Sequence, residues 1–97
     1  MKPGYVYLLT NRPSGVLYLG VTDDLSRRIG QHRSGAVAGF ARKYNCKRLV
    51  WFTRFDNLHD ARQLEHRMKS WRRAWKIEKI EELNPAWADL FEQGPVL

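Results

Sequence analysis

At 97 residues, with a net charge of +7 and a pI near 10.0, the chain has the length of one domain, residues 1–97, able to build a modest core without staples. Its single cysteine, Cys46, excludes an internal disulfide and a four-cysteine zinc site, and is expected as a small buried residue. The opening "MKPGYVYLLT" is too short and too mixed for a signal peptide or a membrane span, so a cytoplasmic protein without a membrane partner is expected.

The first element is a hairpin. Two β-rich runs flank Asn11-Arg12-Pro13-Ser14-Gly15, where proline pre-sets φ and glycine relieves the turn end. A type I turn over Arg12 to Gly15 pairs Tyr7 with Gly20 and Leu9 with Tyr18. Because strand side chains alternate and paired residues share a face, Tyr5, Tyr7, Leu9, Val16, Tyr18, Gly20 and Thr22 then line one side. Val6, Leu8, Leu17, Leu19 and Val21 line the other. A one-residue slip would mix the two sets, so burial selects the register that groups the tyrosines.

Thr22, Asp23 or Asp24 can cap a helix over "LSRRIGQHR", which "SGAVAG" ends. Leu25 and Ile29 form one i, i+4 row on it, Arg28 and His32 a neighbouring one. The stretch from Ser34 to Tyr44 reads as a loop, and "KRLVWFTRF" as the third strand, with Trp51 in the core. From Leu25 to Phe55 there is no Asp or Glu, while Arg27, Arg28, Arg33, Arg42, Lys43, Lys47, Arg48 and Arg54 all fall there. Basic residues interleaved with aromatics point to a polyanion, and nucleic acid fits better than a membrane because no basic amphipathic segment with a large apolar face is present. Arg27, Arg33, Arg42, Lys43 and Lys47 are the candidate contacts.

Asp56 or Asn57 starts a long helix, "LHDARQLEHRMKSWRRAW", with a buried stripe of Ala61, Leu64, Met68, Trp71 and Trp75. The pattern continues through Ile77, Ile80 and Leu83, with a break near Lys76. Glu65 interrupts the stripe: either it pairs with a neighbouring Arg or Lys, or it holds a cation near the tyrosine face. His66 lies beside it in sequence but well round the helix, so the two are not a metal couple by spacing. In "NPAWADLF", Asn84 reads as a cap, Pro85 as the first position of a final short helix, and Trp87 as core.

In order, "YVY" (Tyr5 to Tyr7), "YLG" (Tyr18 to Gly20), L-x-x-R-x-x-x-H (Leu25, Arg28, His32), Glu65 and Asn84 resemble the GIY-YIG nuclease superfamily over nearly the whole chain. The tail W-x-x-x-W-K…NP-x-W-x-D-L resembles its small single-domain bacterial members. That resemblance implies an α/β (α+β) fold, a three-stranded antiparallel sheet flanked by helices, and hydrolysis of DNA phosphodiesters with Mg²⁺ or Mn²⁺. By matching position it makes Tyr7, Tyr18, Arg28, His32, Glu65 and Asn84 catalytic, with Glu65 the metal ligand. Tyr5 stands where the first motif has glycine, and Val21 where the repair-nuclease branch has lysine.

The chemistry suits these residue types. Phosphodiester hydrolysis needs a base for the attacking water and stabilisation of phosphoryl charge. Mg²⁺ commonly uses one or two protein carboxylates, so a site with one glutamate is feasible. Arg28 offers a planar fork of donors to a phosphate, and Gly20 leaves the strand bare for the phosphate to approach. A tyrosine base is ionised in only about one molecule in a thousand at neutral pH, and lowering its pKa by two units takes roughly 2.7 kcal/mol. Arg28, His32 and the metal are expected to push that way. Either Tyr7 or Tyr18 can serve. Two functions are therefore open: a metal-dependent endonuclease on branched, flapped or single-stranded DNA, with RNA less favoured, or a non-catalytic nucleic-acid-binding module on the same scaffold.

Overall fold

The alternation in the first two strands decides which layer each face builds. The computed structural model describes residues 2–93, with the side chains of the last two of these excepted. Strands β1 (Gly4–Thr10), β2 (Leu17–Thr22) and β3 (Arg48–Phe55) form an antiparallel sheet in the order β2-β1-β3. The hairpin register is the expected one, with Tyr7 opposite Gly20 and Leu9 opposite Tyr18.

Its turn differs in type. The Gly15 N–H donates to the Arg12 carbonyl at 2.9 Å, closing the turn over the expected residues. Ser14, however, has φ +57°, which excludes type I and matches the third residue of a type II turn, a place where proline at the preceding position is common.

Both sheet faces are covered. Val6 and Leu8 pack with Val50, Trp51, Ala61, Met68, Ile80 and Trp87. Tyr7 and Leu9 pack with Leu25, Ile29, Ala41, Cys46 and Leu49. Helices α1 (Leu25–Ser34) and α2 (Phe40–Lys43) thus lie on the tyrosine side, and α3 (Leu58–Lys69) and α4 (Arg73–Leu83) on the aliphatic side. Asp24 caps α1 through its side chain, Gly35 ends it in the left-handed region, and Asn57 caps α3. The short α2 occupies part of what the sequence presents as a loop.

The long helix is two helices. α3 ends at Lys69 and α4 starts at Arg73, so the break falls at Ser70 to Arg72 rather than near Lys76. The tie across the molecule explains it: the Arg73 guanidinium donates to the carbonyls of Ser14 and Gly15 in the hairpin turn. Redirecting the chain leaves Trp71 half-buried but turns Trp75 and Leu83 outward, 50% and 74% exposed, so neither belongs to the core.

The C-terminal part also departs from expectation. No helix begins at Pro85. Asn84 instead closes α4, and a short 3-10 helix follows only at Leu90–Gln93. β3 carries a bulge: Trp51 faces Leu8 and Leu49 faces Leu9, so Val50 has no partner residue on β1. Asn84 supplies what the bulge removes. Its side-chain amide donates to the Val50 carbonyl at 3.0 Å and to the Ala88 carbonyl at 2.9 Å, and its oxygen accepts from the Ala88 N–H at 3.0 Å. Replacing Asn84 by Ala leaves a buried carbonyl unmet, and a loss of about 2 kcal/mol in urea unfolding is expected.

Candidate active site

Three elements bring the motif side chains together. β1 places Tyr7 opposite Gly20 of β2, and β2 places Tyr18 on the same face two residues earlier. α1, capped by Asp24, sets Arg28 and His32 one turn apart above that face, His32 in its last turn. The Tyr7 hydroxyl and the His32 Nε2 are joined by a buried hydrogen bond of 3.0 Å. The Tyr7 and Tyr18 rings lie 6.3 Å apart, and His32 stands edge-on to Tyr18 at 5.3 Å. The Arg28 guanidinium acts on the Tyr7 hydroxyl by its positive charge, which lowers the phenol's pKa.

Glu65 comes from the opposite layer. α3 packs across β1 and β2, and the Glu65 carboxylate lies near enough to Tyr7 for its charge to act on the phenol. Its side chain is 14% exposed and pairs with Lys69 at 3.3 Å. The first alternative read from the sequence, a basic partner one turn away, is met by Lys69, while the Glu65 charge also reaches Tyr7 across the sheet. Asn84 does not join it; its amide is engaged with Val50 and Ala88.

The electrostatics reverse one expectation. Tyr7 is fully buried, and its pKa is raised well above that of a free phenol, first by burial and then by Tyr18, with Glu65 adding to the shift. Arg28 pulls the other way and is outweighed. Burial and the Arg28 charge together lower the His32 pKa. Tyr7 is thus held as a neutral phenol against a neutral imidazole. The signs set two pH limits on stability. The unfolded chain binds more protons at His32 once pH falls below about 6.5, so stability present above that value is lost on acidification. Folded Tyr7 keeps its proton where the unfolded chain releases it, so stability falls again as pH rises above 10.0. Urea midpoints are expected to drop between about pH 7 and about pH 5, and less steeply in His32→Gln.

Gly20 has a different role from the one expected. A Cβ there would stand 2.4 Å from both the Tyr7 Cζ and hydroxyl oxygen. The missing side chain makes room for the phenol ring, which covers the backbone that a phosphate was expected to approach. The open recess lies beside it, lined by Val21, Thr22, Asp23, Arg28, Leu58 and Arg62. Arg62 went unnoticed in the sequence, although it precedes Glu65 by three residues and so shares its side of the helix.

The expected nucleic-acid contacts divide. Arg42, Lys43 and Lys47 are exposed, and Arg27 is exposed while pairing with Asp23 at 3.4 Å. Arg33 is engaged internally: it pairs with Asp89 and lies 4.9 Å from the Phe91 ring centre. Among the described residues no three His, Cys, Asp or Glu side chains stand together as a metal cage. A divalent ion here would rest on one or two carboxylates, Glu65 among them, which fits Mg²⁺ provided water or phosphate oxygens complete its shell.

A model of the GIY-YIG catalytic domain matches residues 3–78. The chain belongs to the GIY-YIG family. The resemblance carried by "YVY", "YLG", Arg28, His32 and Glu65 is thereby confirmed, and with it a family of nucleases. A UPF0213 protein of Bacillus pumilus is 37% identical over 82 residues, 84% of either chain. Another, of Natronomonas pharaonis, is 39% identical over 72 residues, 74% of this chain and 84% of that protein. The solution NMR structure of a UPF0213 protein from Bacillus halodurans shares the fold with a TM-score of 0.56 at 30% identity, covering 90% of this chain and 92% of that one. GIY-YIG nucleases generally use divalent metals. No helix among the described residues is long and apolar enough to cross a membrane.

Proposed function

We propose that this GIY-YIG protein is a divalent-metal-dependent endonuclease that hydrolyses phosphodiester bonds in DNA. The observation that carries this reading is the approach of Glu65, from the far layer, to the phenol that Arg28 and His32 already address. A binding module on the same scaffold has no use for a largely buried carboxylate that repels the phosphate it must hold.

The exposures divide the work between the tyrosines. Tyr7 is fully buried and held in its neutral form, so it orients His32 and the cluster. Tyr18 is partly exposed and meets the substrate. Arg28, lining the open recess, binds the scissile phosphate through its planar fork of N–H donors. Tyr18 is the base that takes the proton of the attacking water as the water oxygen bonds to phosphorus and the bond from phosphorus to the leaving oxygen breaks, that oxygen taking a proton from solvent. Glu65 is the residue that would hold a divalent ion, which would supply neutralisation of charge on the phosphoryl and leaving oxygens. The Lys69 ammonium now paired with Glu65 is 62% exposed and can swing into water to admit the ion.

The test is nicking of supercoiled and single-stranded DNA with Mg²⁺ or Mn²⁺. Cleavage is expected to stop on chelation and in Tyr18→Phe. Wild-type protein that cuts no DNA with either ion would sink the proposal. Binding that survives in Glu65→Ala without cleavage in any variant would favour the non-catalytic module.

A further inference from the structure

We infer that Phe40 and Tyr44 form a stacking subsite for the unpaired bases of a DNA strand whose phosphate lies in the site; the identity of that strand rests on the nuclease reading above. The two rings are 48% and 41% exposed and lie 4.7 Å apart. Phe40 is also stacked on Tyr18, at 6.4 Å and an interplanar angle of 23°. An aromatic row therefore runs from the catalytic phenol out to solvent.

Their exposure is imposed by the fold. α2 is a single turn bounded by two residues of positive φ, Gly39 at φ +102° and Asn45 at φ +57°. It is anchored to the core through its small residues: Ala41 and Cys46 are buried, and the Cys46 N–H donates to the Ala41 carbonyl at 2.8 Å. With the anchor made by Ala41, the large residues at either end of the turn face water. Two exposed aromatics at a turn whose core contact needs neither are unexplained by packing.

The surroundings select the occupant. Lys43 holds its ammonium 5.4 Å from the Tyr44 ring centre, and Arg42 beside it is exposed. On its other flank Phe40 borders a groove that includes Arg73 and Lys76. Apolar faces flanked by cations fit a chain of flat bases on a phosphate backbone better than an apolar protein segment. Bases of a duplex already stack on one another, so only an unpaired strand can use both rings.

The experiment measures binding by fluorescence anisotropy in chelator, so cleavage plays no part and failure of the nuclease reading leaves the result interpretable. The probes are a short labelled single-stranded oligodeoxynucleotide, the same strand made abasic, and a duplex of equal length. Wild-type protein is expected to prefer the strand with bases. Phe40→Ala with Tyr44→Ala should weaken that binding by roughly 10- to 100-fold, while abasic and duplex binding change by less than about twofold. Phe40→Trp with Tyr44→Phe should restore it, which excludes misfolding as the cause. Equal wild-type affinity for the normal and abasic strands, or a uniform loss across the three probes, overturns the subsite.

Discussion

Glu65→Gln is expected to lower the rate of DNA cleavage by at least about a thousandfold, a barrier increase of roughly 4 kcal/mol, while leaving the fold intact. The substitution keeps the volume of the side chain and removes its charge. Among the described residues no cluster of three potential ligands is available to compensate. An ion that depended on this carboxylate would lose that anchor, and the charge building on the phosphoryl oxygens would lose its counterweight. Stability should hardly move, because the pair that Glu65 makes with Lys69 is formed by a lysine 62% exposed, and such pairs contribute about 0–1 kcal/mol.

A second readout needs neither metal nor DNA. Burial chiefly raises the Tyr7 pKa and the Glu65 charge adds to the shift, so Glu65→Gln should move the last phenol to ionise in a spectrophotometric pH titration to lower pH. DNA binding should hold or strengthen, since a negative charge has left a basic surface. Cleavage at an undiminished rate in Glu65→Gln would remove the carboxylate from the mechanism. An unmoved phenol titration would show that it does not face Tyr7 in solution.

The faces of the hairpin were legible because a period of two and an aliphatic set of near purity admit one register, and that register places Tyr7 and Tyr18 on one side. The caps were legible to within a residue or two for a similar reason, Asp24 being one of three candidates and Asn57 one of two at the ends of periodic runs. What failed depended on distant partners. Trp71 and Trp75 continue the spacing of α3 smoothly, and no local residue forbids a helix there; the chain turns at Ser70 because Trp71 packs against the core while Arg73 reaches Ser14 and Gly15. Arg33 looked like a surface cation because its partner, Asp89, is 56 residues away. The bulge at Val50 has no signature in "KRLVWFTRF", so the amide of Asn84 seemed free for other work. The burial of Tyr7 was also hidden: α1 covers it, and the pKa then moves up where nearby cations alone would move it down.

Gly20 is the instructive failure, because the pairing that explains it was in hand. Tyr7 opposite Gly20 is an aromatic ring across from an empty position, an arrangement in which the ring covers the glycine. Gly20→Ala is accordingly expected to cost about 2–3 kcal/mol. The new methyl would stand 2.4 Å from the phenol, overpacking of this kind costs about 1–3 kcal/mol, and displacing the ring adds the lost Tyr7–His32 hydrogen bond, about 1 kcal/mol. The easier backbone of alanine in a strand returns roughly 0.5–1 kcal/mol. Cleavage should fall with stability, since the cluster that orients His32 is broken. Gly30 is the internal control: it lies in α1 with nothing within 4 Å of an added Cβ, and Gly30→Ala should stabilise by up to about 1 kcal/mol. Tyr7→Leu supplies the deciding background, because a shorter side chain leaves the methyl room. If the ring is the obstacle, Gly20→Ala costs far less in Tyr7→Leu than in the wild type, a coupling that urea unfolding of the four proteins measures. Equal costs in both backgrounds would mean that Gly20 serves the backbone itself, and the phosphate-approach role would regain its standing.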